Sequence, residues 1–182
     1  MPFSSARQKR KLDDVELYEY AVASLARRMR TVAELKRLLR ARAHPDEDGT
    51  MAVEVVIAKL KDQKYLNDSR YAAAYSQYRQ SNEKFGRRRV ITDLKAKGVH
   101  NDVIDQAVNK AYEEVNEEKL ARQFLDRKRL KKPQNQRESA RVFRMLTRAG
   151  FSSKTIFVLL KRWDIDDEIL GALESESESH GE

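Results

Sequence analysis

A sequence repeat constrains the fold of this chain more than any other feature. The 22 residues from Arg89 to Lys110 align without a gap on those from Arg141 to Arg162, and the alignment places apolar residues on apolar residues. It also places Gly98 on Gly150. Repeats of this kind stack on their neighbours and offer a long surface in place of a deep pocket. The repeat therefore predicts a protein that acts by contacting other macromolecules.

The apolar spacing and the positions of glycine and proline predict helices along the whole chain. Six glycines and three prolines are few for 182 residues, and nearly all of them fall where a helical pattern ends. Thr31 and Glu34 form a capping-box pattern at the start of one helix, and Gly98 supplies the left-handed residue that ends another. We predict an all-α fold, an elongated array of three tandem three-helix repeats.

Breaks in these patterns divide the chain into parts. We predict a flexible basic N-terminal arm over 1–14, three-helix repeats over 15–66, 67–116 and 117–165, and an acidic C-terminal tail over 166–182 that is disordered from about residue 174. The first repeat is the divergent copy, because Arg42 stands where the other two have a glycine. Terminal repeats often diverge in this way.

Helical spacing also predicts which side chains are buried. In the first helix we expect one buried face, made of Tyr18, Val22, Leu25 and Met29. Three tyrosines share a face at the start of the second repeat: Tyr71, Tyr75 and Tyr78. Tyrosines among arginines can stack on single-stranded bases, but their helical spacing favours core packing. We expect Trp163 to anchor the core at the end of the last helix.

Positive and negative charges are segregated along the chain. The formal net charge is +8, and the 44 residues from Lys119 to Arg162 hold 14 Lys or Arg against Asp126 and Glu138 alone. The stretch from Asp164 to Glu182 holds eight carboxylates and no Lys or Arg. A basic run of this length favours a polyanionic partner over a merely solvated surface.

Basic side chains cluster in each predicted repeat. In the third repeat, four arginines at spacings of four, three and four residues would lie on one face of a helix, and their guanidinium forks suit phosphate geometry. A purely solvating role is the alternative. The candidate residues for contact with such a partner are Arg27, Arg28, Arg37, Arg40, Arg87, Arg88, Arg89, Lys95, Lys97, Arg137, Arg141, Arg144 and Arg148.

Several functional classes lack their sequence signatures. The chain has no cysteine, which removes thiolate catalysis and disulfides and agrees with a reducing compartment. Its three histidines share no metal-ligand spacing, and we predict no metal and no cofactor. Without a phosphate-binding glycine loop, a nucleophile elbow or a paired-carboxylate pattern, we predict a protein that is not an enzyme. No apolar run approaches a membrane span, so we expect a cytoplasmic monomer without a membrane partner.

The pattern from Val90 to Ile104 is also similar to a helix-turn-helix. Its second helix would carry Asp102 and Asp105 and no Lys or Arg, and flanking phosphates would repel it. The aligned stretch Thr155 to Leu160 is almost wholly apolar and should be buried. We therefore interpret the pattern as helix packing within a repeat.

Two motifs resemble those of a known protein family. Within the stretch from Ile57 to Ala72, Tyr-Leu-Asn-Asp-Ser-Arg-Tyr-Ala resembles the Tyr-Leu-x-Asp-x-Arg-Tyr-Ala motif that joins the first two units of RecX regulatory proteins. The run from Gly86 to Val99 resembles that family's Gly-x-x-Arg-Ile-x-x-x-Leu-x-x-Lys-Gly-Ile run, although Arg87 stands where the family commonly has proline. The resemblance covers about residues 15–162.

The resemblance implies a modular regulator of the RecA recombinase. RecX proteins lodge in the helical groove of the RecA–DNA filament and inhibit the ATPase, strand exchange and coprotease activity of RecA, which links them to recombination, DNA repair and the SOS response. The implied partners are the RecA filament and single-stranded DNA, and double-stranded DNA is a further candidate partner. Two alternatives stay open: a basic helical-repeat protein that binds nucleic acid independently of RecA, and a helical scaffold for an acidic protein.

Overall fold

A computed structural model describes residues 10–163 and Gly171. Residues 10–163 contain nine helices and no strand, which confirms the all-α prediction. The helices are α1 (Asp14–Arg27), α2 (Val32–Arg40), α3 (Glu47–Asp62), α4 (Asp68–Ser81), α5 (Arg87–Ala96), α6 (Asn101–Tyr112), α7 (Glu117–Arg127), α8 (Gln136–Arg148) and α9 (Ser153–Lys161). The acidic tail apart from Gly171 and most of the N-terminal arm lie outside the described residues, and the domain boundaries stay predictions.

Local capping interactions account for where these helices begin and end. At the start of α2, the backbone N–H of Glu34 donates to Oγ1 of Thr31 at 3.1 Å, and the Glu34 carboxylate accepts from the Thr31 N–H at 3.2 Å. This confirms the predicted capping box. Gly98 and Gly150 have φ values of 75° and 89° and follow α5 and α8. They occupy the left-handed conformation that glycine adopts without steric cost.

The helices form two compact units. Among the described residues, the first consists of residues 10–71 together with Ala96–His100, and the second consists of Ala72–Lys95 and residues 101–163. The core of the first unit is built from α1, α2 and α3. Its largest fully buried side chains are Leu17, Leu35, Leu39, Val53 and Leu60.

The buried face of α1 differs from the predicted one. Its buried residues are Leu17, Ala21 and Ser24. The edge of that face holds the half-buried Tyr18, Val22 and Leu25. Met29 lies beyond the end of the helix and is 45% exposed. The buried face is displaced from the predicted face by one residue, or about 100° of helical rotation. The prediction was wrong because small residues line the contact between α1 and the rest of the core. Ser24 is buried with its hydroxyl accepting a 2.6 Å hydrogen bond from Nε of Arg30.

Aromatic side chains dominate the core of the second unit. The ring of Phe124 on α7 lies 5.7 Å from that of Phe85 and 5.8 Å from that of Phe151, centroid to centroid. These are the separations at which aromatic pairs attract. The hydroxyl of Tyr112 donates to the backbone carbonyl of Phe85 at 2.8 Å, and burial raises the pKa of that hydroxyl. Trp163 is partly buried against the same cluster, so the expected core contact is confirmed.

Only part of the tyrosine prediction for α4 is confirmed. Ala72 and Ser76 are fully buried and define the inward face of the helix, at 0% exposure each. Tyr71 is 8% exposed and Tyr75 is half-buried, whereas Tyr78 is 55% exposed. Because each residue turns the helix by about 100°, Tyr78 lies about a third of a turn from Ala72. Core packing was therefore the wrong expectation for Tyr78.

The repeat in the sequence recurs as a repeated contact in space. In the first unit, a Cβ added to Gly98 would lie 2.5 Å from Cβ of Ala33 in the first turn of α2. In the second unit, a Cβ added to Gly150 would collide with the backbone of Arg89 in the first turn of α5. In both units the glycine that ends one helix therefore packs against the start of another.

Hydrogen bonds accompany each of these glycine contacts. In the first unit, Oγ1 of Thr31 donates to the carbonyl of Lys97 at 2.7 Å. In the second, the N–H of Gly86 donates to the carbonyl of Ala149 at 2.8 Å, and the N–H of Arg88 donates to that of Gly150 at 3.2 Å. In the second unit, backbone N–H groups at the start of α5 thus satisfy carbonyls at the end of α8, whereas in the first unit a side-chain hydroxyl at the start of α2 satisfies a carbonyl beyond α5.

Candidate nucleic-acid interface

One face of α8 carries a row of arginines, called here the α8 row. The α8 row consists of Arg137, Arg141, Arg144 and Arg148, all of which are exposed. The opposite face is buried through Ser139, Ala140, Val142, Phe143 and Leu146. This division places every guanidinium of the row toward solvent, as the spacing predicted. Asn135 caps the helix, because its side chain accepts from the N–H of Glu138 at 2.9 Å.

The arginines of the α8 row lack ion-pair partners within the part of the chain that the structure describes. None of its four guanidinium groups forms an ion pair with a carboxylate of residues 10–163. Arg137, Arg141 and Arg144 line a shallow depression together with Asn135 and Glu138. The Glu138 carboxylate opposes this charge in part and accepts from the N–H of Gln134 at 2.9 Å. The depression is therefore predominantly cationic.

The basic residues of α5 are exposed, but several are already engaged by neighbouring groups. Arg87 donates to the side chain of Asn109, a neutral acceptor that leaves its charge in place. Nε of Arg89 lies 3.0 Å from the Asp93 carboxylate, which also pairs with Arg79 at 2.6 Å. Lys95 is exposed at the last turn of α5. Arg87 and Lys95 are thus more available to a partner than Arg89.

Arg88 interacts with a half-buried carboxylate of the second unit, that of Glu117. Burial favours the neutral form of Glu117, but hydrogen bonds from Ser152 and Thr155 and the charge of Arg88 outweigh it. The pKa of the Glu117 carboxyl therefore lies below its ordinary value. The positive charge of Arg88 is partly offset by this carboxylate, although its side chain is exposed.

Four candidate residues of the first unit differ in how far they are compensated. Arg27, Arg28 and Arg37 are exposed. Arg40 lies 3.4 Å from the Glu54 carboxylate, which also pairs with Lys36 at 2.6 Å. Exposed pairs of this kind are weak and exchange readily with other partners. The positive charge of Arg28 helps to lower the pKa of the Glu34 carboxyl, so these two charges partly offset each other. Arg27 and Arg37 are therefore the least compensated cations of this group.

Lys97 stands apart from the other candidates because it is half-buried in the first unit. Its ammonium lies 3.1 Å from Oε1 of Glu34 and 5.8 Å from the ring centroid of Tyr71. Burial opposes the charge, but the hydrogen bonds to Glu34 and Tyr71 outweigh it and raise the pKa of the ammonium. Its ammonium is already engaged by Glu34 in the first turn of α2. A role of Lys97 as a contact residue for a partner stays a prediction.

The sequence reasoning missed a second cationic and aromatic surface in the second unit. Tyr78 at the end of α4 is exposed, and Arg127 at the end of α7 donates to the backbone carbonyl of Asn82 just beyond α4. The exposed Lys128 and Arg129 follow Arg127. The basic run from Lys119 indicated the cations of this surface. Because Tyr78 was expected to be buried, it was not recognised as the aromatic part of the same surface.

The residues between 10 and 163 contain no group of three or more His, Asp or Glu placed to hold a metal ion. Along the same stretch, no helix is both long enough and apolar enough to span a membrane. The surfaces described above are shallow and charged, which suits an extended polyanion better than a small molecule.

Comparisons with known proteins agree with this architecture. The family model described as RecX, second three-helix domain, matches residues 67–108. Solved structures of two RecX proteins are among those similar to this chain. A crystal structure of regulatory protein RecX has a TM-score of 0.66 and 25% identity, and the match covers 82% of this chain and 71% of that one. The crystal structure of RecX from Lactobacillus salivarius has a TM-score of 0.61 over 83% of this chain and 96% of that one. At 22% identity it supports the fold alone.

Relatives of similar sequence carry the same name. The regulatory protein RecX of Geobacillus thermodenitrificans is 32% identical over 148 residues, or 79% of this chain, but the match spans only 52% of the relative's length. The regulatory protein RecX of Pseudomonas entomophila is 32% identical over 154 residues, which cover 81% of this chain and 91% of that relative. A match of this identity over most of both chains shows common descent, and the chain therefore belongs to the RecX family of regulatory proteins.

Proposed function

We propose that this chain binds the RecA–DNA filament in its helical groove and inhibits the ATPase, strand exchange and coprotease activity of RecA. The supporting observation is the α8 row, which presents four exposed guanidinium groups without an ion-pair partner among residues 10–163, on a family member built from three-helix repeats. Guanidinium forks bind phosphates or carboxylates in pairs of hydrogen bonds. The α8 row therefore suits either the DNA backbone or an acidic protein groove within the filament.

The chemistry of the described surfaces supports a binding role and not a catalytic one. The depression beside α8 is lined by arginines, one glutamate and one asparagine, and it offers no nucleophile paired with a general base. We propose a cytoplasmic regulator without a cofactor, whose partners are the RecA filament and single-stranded DNA. Double-stranded DNA would bind the same cations through its phosphates.

A second candidate is a nucleic-acid-binding protein that acts independently of RecA. The exposed arginines of α8 favour it as much as the first, because phosphate contacts alone require only positive charge. The two candidates differ in the shape that they recognise. A filament groove adds packing contacts to the charge interaction, whereas bare DNA does not.

The affinity for labelled single-stranded DNA, measured with and without saturating RecA at several salt concentrations, separates the candidates. We expect strong preference for the filament and weaker dependence on salt for filament binding than for bare DNA. Equal affinity for bare DNA and for the filament would favour the independent nucleic-acid-binding protein. Binding to RecA alone, with no affinity for DNA, would favour an acidic-protein scaffold.

A further inference from the structure

We propose that the ring of Tyr78 stacks on one unstacked base of single-stranded nucleic acid. The phosphates on either side of that base are bound by the basic residues at the end of α7. This inference rests on the proposed function, because it adds a base contact to a surface that meets DNA. Tyr78 is 55% exposed on α4, the same helix on which Ala72 and Ser76 are completely buried.

The position of Arg127 connects this tyrosine to a cationic segment. The Arg127 guanidinium donates to the carbonyl of Asn82, and the N–H of Asn82 donates to the carbonyl of Tyr78 at 2.9 Å. Residues four apart on a helix lie on one face, about 5–6 Å from each other. The guanidinium is therefore anchored within about one helical turn of Tyr78.

The anchoring of Arg127 leaves its charge available. A backbone carbonyl holds the guanidinium in place but does not neutralise it, and no ion pair of Arg127 with a carboxylate occurs among residues 10–163. The exposed Lys128, Arg129 and Lys131 follow directly, and Asp126 is the nearest carboxylate along the chain. Arg129 has a φ of 52°, so the chain turns sharply within this segment.

An exposed aromatic ring beside a cationic segment is the arrangement that binds single strands without sequence preference. Bases stack on the ring, and the cations follow the phosphate backbone. A double helix offers no free base face, so it would use the cations but not Tyr78. Tyr78 should therefore strengthen binding to single strands selectively.

Binding of two labelled oligomers tests this inference: an oligothymidylate and an abasic strand of the same length. We expect Tyr78→Ala to bind oligothymidylate about tenfold more weakly, the typical effect of losing one stacked base. Its affinity for the abasic strand and its salt slope should not change. Tyr78→Phe should retain the wild-type affinity, because the phenyl ring offers the same stacking face.

Two further variants act as matched controls. Tyr65 is 58% exposed in the first unit, so Tyr65→Ala removes an equally exposed ring and should leave oligothymidylate binding unchanged. Arg127→Ala should weaken both oligomers and flatten the salt slope by about 0.7, the value for one phosphate contact on a single strand. Arg127→Lys should restore most of that slope.

Three outcomes would overturn the stacking site. These are equal affinities of Tyr78→Ala and wild type for oligothymidylate, an equal loss of affinity in Tyr65→Ala, and a wild-type protein that binds neither oligomer. None of them decides the proposed function, which is judged by the RecA filament and can stand on the α8 row alone. Circular dichroism of each variant separates a loss of stacking from a loss of folding.

Discussion

The ammonium of Lys97 lies 3.1 Å from the carboxylate of Glu34, and the two residues stand 63 positions apart in the chain. Burial favours the neutral form of Glu34, but the hydrogen bonds from Lys97 and from the Thr31 N–H, with the charges of Lys97 and Arg28, outweigh it. The pKa of the Glu34 carboxyl is therefore lowered. The pair fastens the residues that follow α5 to the first turn of α2, so we assign it to stability.

Replacing Lys97 by alanine should destabilise the protein by about 1 kcal/mol, because it breaks a half-buried ion pair whose strength partial solvent exposure limits. The shift of the urea midpoint at pH 7 measures this loss. Lys95→Ala is the matched control, since Lys95 is exposed two residues earlier, in the last turn of α5, and it should leave the midpoint unchanged. Equal midpoints for the Lys97→Ala and Lys95→Ala proteins would contradict the structural assignment.

Asp68 and Glu117, the first residues of α4 and α7, should respond to pH with opposite signs. Burial raises the pKa of Asp68 above 3.8 although the N–H of Val32 donates to its carboxylate. Its contribution to stability is present below pH 3.8 and is lost as the pH rises through the folded-state pKa. The pKa of Glu117 is lowered, so its contribution is present above pH 4.5 and is lost as the pH falls.

Two amide variants test this pair by urea denaturation across the pH range. Asp68→Asn keeps an oxygen that accepts the Val32 N–H and removes an unfavourable charge, so it should be at least as stable as wild type at pH 7. Glu117→Gln loses a favoured charge, and it should be less stable at pH 7 and approach wild type below pH 4. If Asp68→Asn is less stable than wild type at pH 7 and Glu117→Gln is not, the two carboxylates do not affect stability with the predicted opposite signs.

The contact between Gly98 and Ala33 should appear as a coupling in a double-mutant cycle. Gly98→Ala places a side chain at a φ of 75°, which costs about 1–2 kcal/mol, and it adds a methyl group 2.5 Å from Cβ of Ala33. Combining it with Ala33→Gly removes the collision but not the backbone strain. We expect the loss in free energy of unfolding of the double variant to be smaller than the sum of the two single losses by about 0.5 kcal/mol or more.

Gly150→Ala provides a comparison for this cycle. The added methyl group would meet the backbone of Arg89 and not only a side chain, so Gly150→Ala should be more destabilising than Gly98→Ala. If the effects of the Gly98 and Ala33 changes on the free energy of unfolding are strictly additive, the helix end and the helix start are not in steric contact at these residues.

Changing Arg141, Arg144 and Arg148 to glutamate should weaken binding to filaments and to DNA while the helix content stays the same. The three side chains point away from the buried face of α8, so their replacement leaves the core intact. Replacing each by alanine should flatten the salt slope by a little under one unit for every phosphate that the variant no longer binds.

A charge-matched control distinguishes the α8 row from net charge alone. Lys110, Lys119 and Lys154 are exposed on three other helices. Their triple change to glutamate alters the net charge equally and should weaken binding much less. If both triple variants titrate alike, the α8 row is a solvated surface without a special role.

The sequence predicted helix ends better than it predicted helix faces. The ends depend on local donors and acceptors, so the Thr31 capping box and the turn at Gly98 were recognisable from residue types alone. The inward face of α1 depends on small residues such as Ala21 and Ser24, which let other helices approach but add little to an apolar pattern.

The candidate interface was predictable to the extent that it is local. The α8 row follows from the spacing of its arginines along one helix. The Lys97–Glu34 pair joins distant parts of the chain, and the exposure of Tyr78 depends on which face of α4 packs inward. Both require the tertiary structure, because helical periodicity does not indicate which of two neighbouring stripes is buried.

The most direct test of the central proposal is the DNA-dependent ATPase and strand-exchange activity of RecA while this protein is titrated in. We predict that substoichiometric amounts lower both activities and that the protein alone hydrolyses no ATP. The triple glutamate variant of Arg141, Arg144 and Arg148 should inhibit less at each ratio. Unchanged RecA activity at an equimolar amount of folded wild-type protein would contradict the proposal.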